Sequence, residues 1–452
     1  MHLRRTTALL GILGSQACAG GPGSDPAQAS ALDAIGSPYV AVLSDGDFFA
    51  STYVDGQLPG PDPRYRDTLS ILLPGRAGEP RSARLPDVSN SVAGPPEVLA
   101  LAPDNRTAYV IELLQPRAPG MVTRDDLPPG RRLTAVDLSN PAKPRLRGFA
   151  YVGPLPEALS VHPGGRWIAL TTNAAEEGIQ LVAVRGQGEL GPVTDIPLAA
   201  LDVPTRADLP KNGLDASYLA WHPGGKLLAV NLYRQGRIVF LRFTQDAAGA
   251  PVLSRWGAPV AVDEDAYTGR FTPDGRYYVV NAWGRNFNAT TPDQRLPEHP
   301  GSLSVIRLGA LDAPEPVHAV VHRAESDRSP EGMAMSPDGT LVATCNMRET
   351  IFPESHPRYT REATVSLFQF DGATGALAKV GDYPFEAVLP EGIAFDASGR
   401  HLLAASFEYR GSQEPHGGLE VWRIARTPAV SLRHVGRVEL PPGAHAVAVA
   451  TH

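Results

Sequence analysis

One unit recurs along this chain: a short alternating run, a tight turn rich in Pro, Asp and Gly, and a second apolar run. It reads PEVLALAPDNRTAYVIEL from Pro96, PEALSVHPGGRWIALTTN from Pro156 and ASYLAWHPGGKLLAVNLY from Ala216. It returns as AYTGRFTPDGRYYVVNAW from Ala266, PEGMAMSPDGTLVATCNM from Pro330 and PEGIAFDASGRHLLAASF from Pro390. The turn positions Pro103, Pro163, Pro223, Pro273, Pro337 and Ala397 follow one another at 60, 60, 50, 64 and 60 residues. A sustained period of that size implies a repeat architecture, in which one small unit is stacked or arrayed.

Each unit continues in the same way. After a variable loop comes a third apolar segment (Leu133 to Leu138, Ile179 to Val184, Arg237 to Phe243, Leu303 to Leu308, Thr364 to Phe370, Leu419 to Ile424), and then a fourth, such as Arg433 to Leu440. Four short strands per repeat with no helical pattern describe a propeller blade. The 45 Gly and 44 Pro, with no collagen-like period, supply the turns.

The count predicts seven blades. Inner strands open at Glu97, Glu157, Ser217, Tyr267, Glu331, Glu391 and His445, and the last of these has no strands after it. The N-terminal segment has the complementary deficit: Tyr39 to Leu43, Thr68 to Leu73 and Arg81 to Leu85 supply second, third and fourth strands without a first. Joining the two ends in one blade closes the ring and removes its open edge. The expected fold class is therefore all-β, a seven-bladed β-propeller of four-stranded antiparallel blades over residues 37–452.

The first residues, MHLRRTTALLGILGSQACAGGPGSDPAQAS, place Arg4 and Arg5 before an apolar stretch from Ala8 to Leu13 and small residues around Cys18. That pattern predicts a bacterial export signal over residues 1–19, too short to span a membrane. Two endings are open. Cys18 carries lipid, with 20–36 as a flexible linker to a periplasmic or outer-membrane protein, or an ordinary signal peptidase cuts at Ala17-Cys18-Ala19 and releases the domain. A twin-arginine reading of Arg4-Arg5 is a further option. The mature domain keeps a single cysteine, Cys345, and so has no partner for an intrachain disulfide. A formal charge of −7 without Lys/Arg blocks argues against a nucleic-acid partner. A monomer is expected, reaching the membrane only through the lipid.

PEGMAMSPDGTLVATCNM and FTPDGRYYVVNAWG resemble the YVTN-type propeller repeats, and HPGGRWIAL and HPGGKLLAV resemble the turns of the seven-bladed lactonase-like family. The resemblance runs from Pro96 to the C-terminus and implies the propeller fold, with lactone hydrolysis as an activity. NLYRQGRIVFLRF, at Asn231 to Phe243, is similar to that family's DLGxDRI stretch, with Asn231 and Gln235 where the family has acids. The family's Pro-His-x-His element has no counterpart in this sequence.

In a propeller the inner strands start beside the axis on one face, so the residues that open them form a ring. Glu97, Glu157, Glu331, Glu391 and His445 occupy one arc of it. Long loops after the second strands of blades one, two, five, six and seven rise over the same face, which is where binding is expected. Three chemistries compete with a purely structural role for the repeated Pro-Glu. Glu97, Glu331 and Glu391 suit a hard cation such as Ca²⁺. Glu331 and Glu391 suit an acid/base pair, with His445 as proton carrier and Arg285 and Arg348 holding a developing oxyanion. Glu157, Arg410, Trp283 and Tyr233, with Glu97, suit recognition of a small molecule, sugar or peptide. A recurring Glu-His in the loops at His299, His356 and His416 is a weaker pointer to a transition metal, and His162 and His222 are read as structural turn residues. Two functions follow: a binding propeller with its ligand in the loop-walled funnel, and a lactonase-like hydrolase using the Glu/His/Arg set.

Overall fold

The computed structural model describes residues 26–75, 81–90, 96–172 and 178–451. The expected export signal, Cys18 and the start of the expected linker lie outside the described residues. Seven sheets, each with a four-stranded antiparallel core, follow one another in chain order. The chain is a seven-bladed β-propeller.

The blade that closes the ring pairs strand Ala444–Val449 with Val40–Ser44, which continues into Thr68–Leu72 and Ser82–Pro86. Val449 faces Val40 and Val447 faces Val42, so the two chain ends share one ladder. Within the expected linker, Pro26–Ala34 is a helix, which differs from a flexible tether. Its Ala31 and Leu32, followed by Ile35, are buried with Leu403, Leu419 and Val421 of blade seven, and that apolar burial holds it in place.

Blades are stapled to one another at both ends of the inner strands. On the turn face, His162 Nδ1 accepts from Gly164 N (2.8 Å), so Nε2 carries the proton and donates to the carbonyl of Gly225 in the next blade (2.9 Å). His222 repeats this with Gly224 N (2.9 Å) and the Gly275 carbonyl (3.0 Å). Blade one uses a tyrosine for the same purpose, Tyr39 donating to the Asn105 carbonyl at 2.6 Å. Gly225 and Gly275 have φ near +70°, and a Cβ on Gly275 would lie 2.1 Å from His222 Nε2, so the staple and the turn both require glycine. Nearer the other face, Asn281 Nδ2 donates to the Pro330 carbonyl of the next blade (2.8 Å), and Asn231 Nδ2 to that of Tyr267 (3.1 Å).

Candidate functional site

The long insertions do not stand as separate loops. Leu58 N donates to Val122 O and Arg124 N to Gly56 O, joining blades two and one. Glu408 Oε1 accepts from Ala50 N at 2.7 Å, joining one to seven. Arg410 donates to the Thr350 and Phe352 carbonyls at 2.6 Å, joining seven to six. Arg358 donates to the Leu296 carbonyl at 3.1 Å, joining six to five. The insertions thus form an arch from blade two through one, seven and six to five, packed on a small apolar core of its own that includes Phe48, Leu127, Leu296, Phe352 and Phe407.

Under the arch the axis is closed. Arg270, in the first strand of blade five, donates to Glu97 of blade two at 2.5 Å and to the Tyr218 hydroxyl at 2.5 Å. Under the arch lies a cavity of about 260 Å³. Tyr267, Trp283, Leu389, Glu331 and Glu391 line it from the blades, while Tyr53, Arg124, Arg295 and Ile351 reach it from the insertions.

Glu331 and Glu391 are buried, and the Oε2 atom of each has no hydrogen-bond partner. Burial pushes Glu331 up to about 8, an effect that the Arg285 guanidinium and a hydrogen bond from the Tyr267 side chain offset and Asp265 reinforces. Glu391 is pushed well above the carboxylate range by burial, then by Glu331 and Asp45. Like charges this close do not ionise together, so the pair keeps a proton at neutral pH.

Arg285 does not pair with this ring. Asp265 holds it from both oxygens, at 2.7 and 2.8 Å, and the guanidinium lies over Tyr267 and Trp283, 4.6 Å from each ring centroid. In blade four Asp215 Oδ2 holds Arg234 Nε at 2.5 Å, and its Oδ1 faces Lys211 Nζ at 3.3 Å. These two aspartates were not singled out from the sequence, yet the signal is there. In blades four and five the strand-opening Glu is replaced by Ser217 and Tyr267, and an Asp stands two residues earlier. Displaced upstream, it meets the loop arginine instead of the axis.

The structure brings together Glu331, Glu391, Arg285 and Trp283 of the residues expected at the site, and places the others elsewhere. Glu97 is drawn across the axis to Arg270. Glu157 is buried in blade three, pushed up to about 8 by burial with Arg285 pulling the other way, and does not line the cavity. His445 is fully buried beyond the cavity wall, its Nδ1 donating to the Gly443 carbonyl at 2.8 Å. Burial pushes it down to about 4, so it is neutral and does not carry protons near pH 7 as expected. Arg348 turns outward to the Glu362 carbonyl (3.2 Å) and Asp327 (3.6 Å), and Arg410 is committed to the arch. Tyr233 is buried against Phe287, with ring centroids 5.2 Å apart. Among the described residues no three His, Cys, Asp or Glu side chains converge as metal ligands. With Glu97 spent on Arg270, the Glu97, Glu331 and Glu391 set does not form the Ca²⁺ site that the ring suggested, and the three loop histidines do not meet.

No family model and no curated protein matches the sequence. Solved structures do match in shape. The periplasmic gluconolactonase of Pseudomonas aeruginosa superposes with a TM-score of 0.57 at 16% identity, covering 92% of this chain and 99% of its own. A Bacteroides uniformis protein provisionally named a 6-phosphogluconolactonase gives 0.58 at 15% identity, covering 91% and 99%. A Desulfotomaculum acetoxidans protein of unknown function gives 0.58 at 14%, covering 92% and 99%. What is shared is the fold. At these identities the chemistry has to be argued from the cavity itself.

Proposed function

We propose that this propeller binds a small polar molecule in the cavity under the arch. The observation that carries this reading is the pair of buried, unpartnered carboxyl oxygens on Glu331 and Glu391, opening into a space walled by Tyr267 and Trp283. A buried polar atom without a partner is costly, about 1–3 kcal/mol, and a ligand that supplies one recovers it. The cavity is just below the roughly 300 Å³ at which pockets for drug-sized ligands begin, so the ligand is of monosaccharide size rather than a peptide. Thermal-shift screening of sugars, sugar acids and lactones tests it: ligands that stabilise the protein should lose their effect in Glu391→Gln and Trp283→Ala.

A second reading is favoured by the same two carboxyls. A protonated carboxyl can protonate a leaving oxygen, and once the pair gives up one proton, as pH rises through about 8, its ionised member can activate a water, which together are what hydrolysis of a cyclic ester needs. Two of the structural neighbours are named for gluconolactone chemistry, which supports trying that class first. Release of acid from glucono-1,5-lactone above the uncatalysed rate, lost in both Glu331→Gln and Glu391→Gln, is the expected result. Export is likewise a proposal, supported by the basic-then-apolar N-terminus and tested by mass spectrometry of the mature chain for lipid on Cys18.

A further inference from the structure

Arg124 and Arg295 enter the cavity from insertions of blades two and five, on opposite sides of the ring. Arg124 opens the short turn Arg124–Asp126, and Arg295 ends the short helix Pro292–Arg295. Among the described residues neither side chain has a hydrogen bond or an ion pair. The acids nearby are committed: Asp265 to Arg285, Asp126 to the Val122 and Thr123 amides, Asp293 to Arg358 and Glu349 to Arg328. Arg295 is exposed at the surface and Arg124 half-buried; partial desolvation, then repulsion from Arg285, Arg124 and Arg234, holds Arg295 below its ordinary range. Guanidinium groups that repel one another over a cavity, facing Glu331 and Glu391 carboxyls that retain a proton, form a site that an incoming anion stabilises.

We propose that Arg124 and Arg295 are the two jaws of a clamp for the charged end of a small hydroxylated acid, a carboxylate or a phosphate monoester, whose uncharged end lies against Glu331 and Glu391. This rests on the cavity being a small-molecule site and adds the class of molecule it takes. Arg285 is not a jaw, because Asp265 already neutralises it. The carboxyl pair is matched to the other end of such a ligand: with a proton retained, it donates to a hydroxyl or ring oxygen and does not repel the anion. Arg295 is exposed and Arg124 half-buried while Glu331 and Glu391 are buried, so charge is read at the mouth and hydroxyl pattern at the floor.

Isothermal titration at low ionic strength, with inorganic phosphate as the anionic probe and sorbitol as the neutral one, tests this. Phosphate should bind the wild-type chain with one-to-one stoichiometry. Arg124→Gln and Arg295→Gln should each weaken it by roughly tenfold, and the double variant should abolish it, with sorbitol binding unchanged. Both residues sit on insertions and, among the described residues, make no side-chain hydrogen bond or ion pair, and circular dichroism checks that the variants are folded. Equal phosphate affinity in the double variant, or no phosphate binding by the wild type, overturns the clamp. Sorbitol binding that is lost in Trp283→Ala while phosphate ignores both arginines leaves the cavity standing and removes only the clamp. Probe binding that ignores Trp283→Ala and both arginines removes the cavity and the clamp together.

Discussion

Arg270 Nη2 meets Glu97 Oε1 at 2.5 Å, and the two residues belong to blades five and two, which face each other across the axis. Blades that far apart in the ring touch only through its centre, so this pair closes the channel and ties together two sides of the molecule. Removing one partner leaves a charge that is mostly out of water. Glu97→Gln or Arg270→Met should cost about 3 kcal/mol in chemical denaturation, with the double substitution costing less than the sum. Simple additivity would mean that the pair is not coupled.

The acidic ring makes stability fall with rising pH. Folded Glu331 keeps its proton up to about pH 8, against an ordinary value of 4.5. Its contribution is fully present below the unfolded value and is lost as pH rises through the folded one. The wild-type melting temperature should therefore drop between about pH 5 and about pH 9 by several degrees more than that of Glu331→Gln. Parallel curves would show that Glu331 ionises normally.

His445 works with the opposite sign. Its folded value is about 4 and its ordinary value 6.5, so its contribution is present above the unfolded value and is lost as pH falls through the folded one. A His445→Gln variant should show a shallower acid limb in a melting-temperature profile, and an unchanged limb would refute the assignment.

The turn histidines offer a structural test. His222→Ala removes a hydrogen bond to the Gly275 carbonyl and the acceptor for Gly224 N. A loss of about 2 kcal/mol is expected, whereas His299→Ala, at an exposed loop position, should change stability little.

The terminal strand should be indispensable. Deleting Ala444 to His452 strips the ladder from Val40–Ser44 and opens an edge in the ring. Size-exclusion chromatography should find aggregate in place of monomer, and a folded monomeric product would contradict the closure.

The repeat made the fold legible because every blade repeats the same alternation and turn chemistry, so an inner strand such as Pro330–Met335 could be placed within a residue of where it lies. The strand-opening acids were legible for the same reason, and Glu331 and Glu391 do line the cavity. What escaped was set by residues outside the period. Arg124, Arg295 and Tyr53 lie on insertions whose path depends on neighbouring insertions, and no spacing rule positions them. Arg270 sits one residue from the end of strand Ala266–Phe271, where alternation says only that it faces one side, and not that it reaches Glu97 across the axis. Arg348 and Arg410 follow second strands as Arg285 does. Their backbones turn differently, Arg348 with φ of 55°, and their side chains settle on Asp327 and on loop carbonyls.

The most direct test of the central claim, that the cavity under the arch is the working site, is a thermal-shift screen of sugar acids, their lactones and neutral sugars on wild type, Glu391→Gln and Trp283→Ala. Hits on the wild type that vanish in both variants, with each variant still cooperatively folded, are the predicted result. Hits that persist unchanged in both variants would move the site elsewhere on the propeller and contradict it.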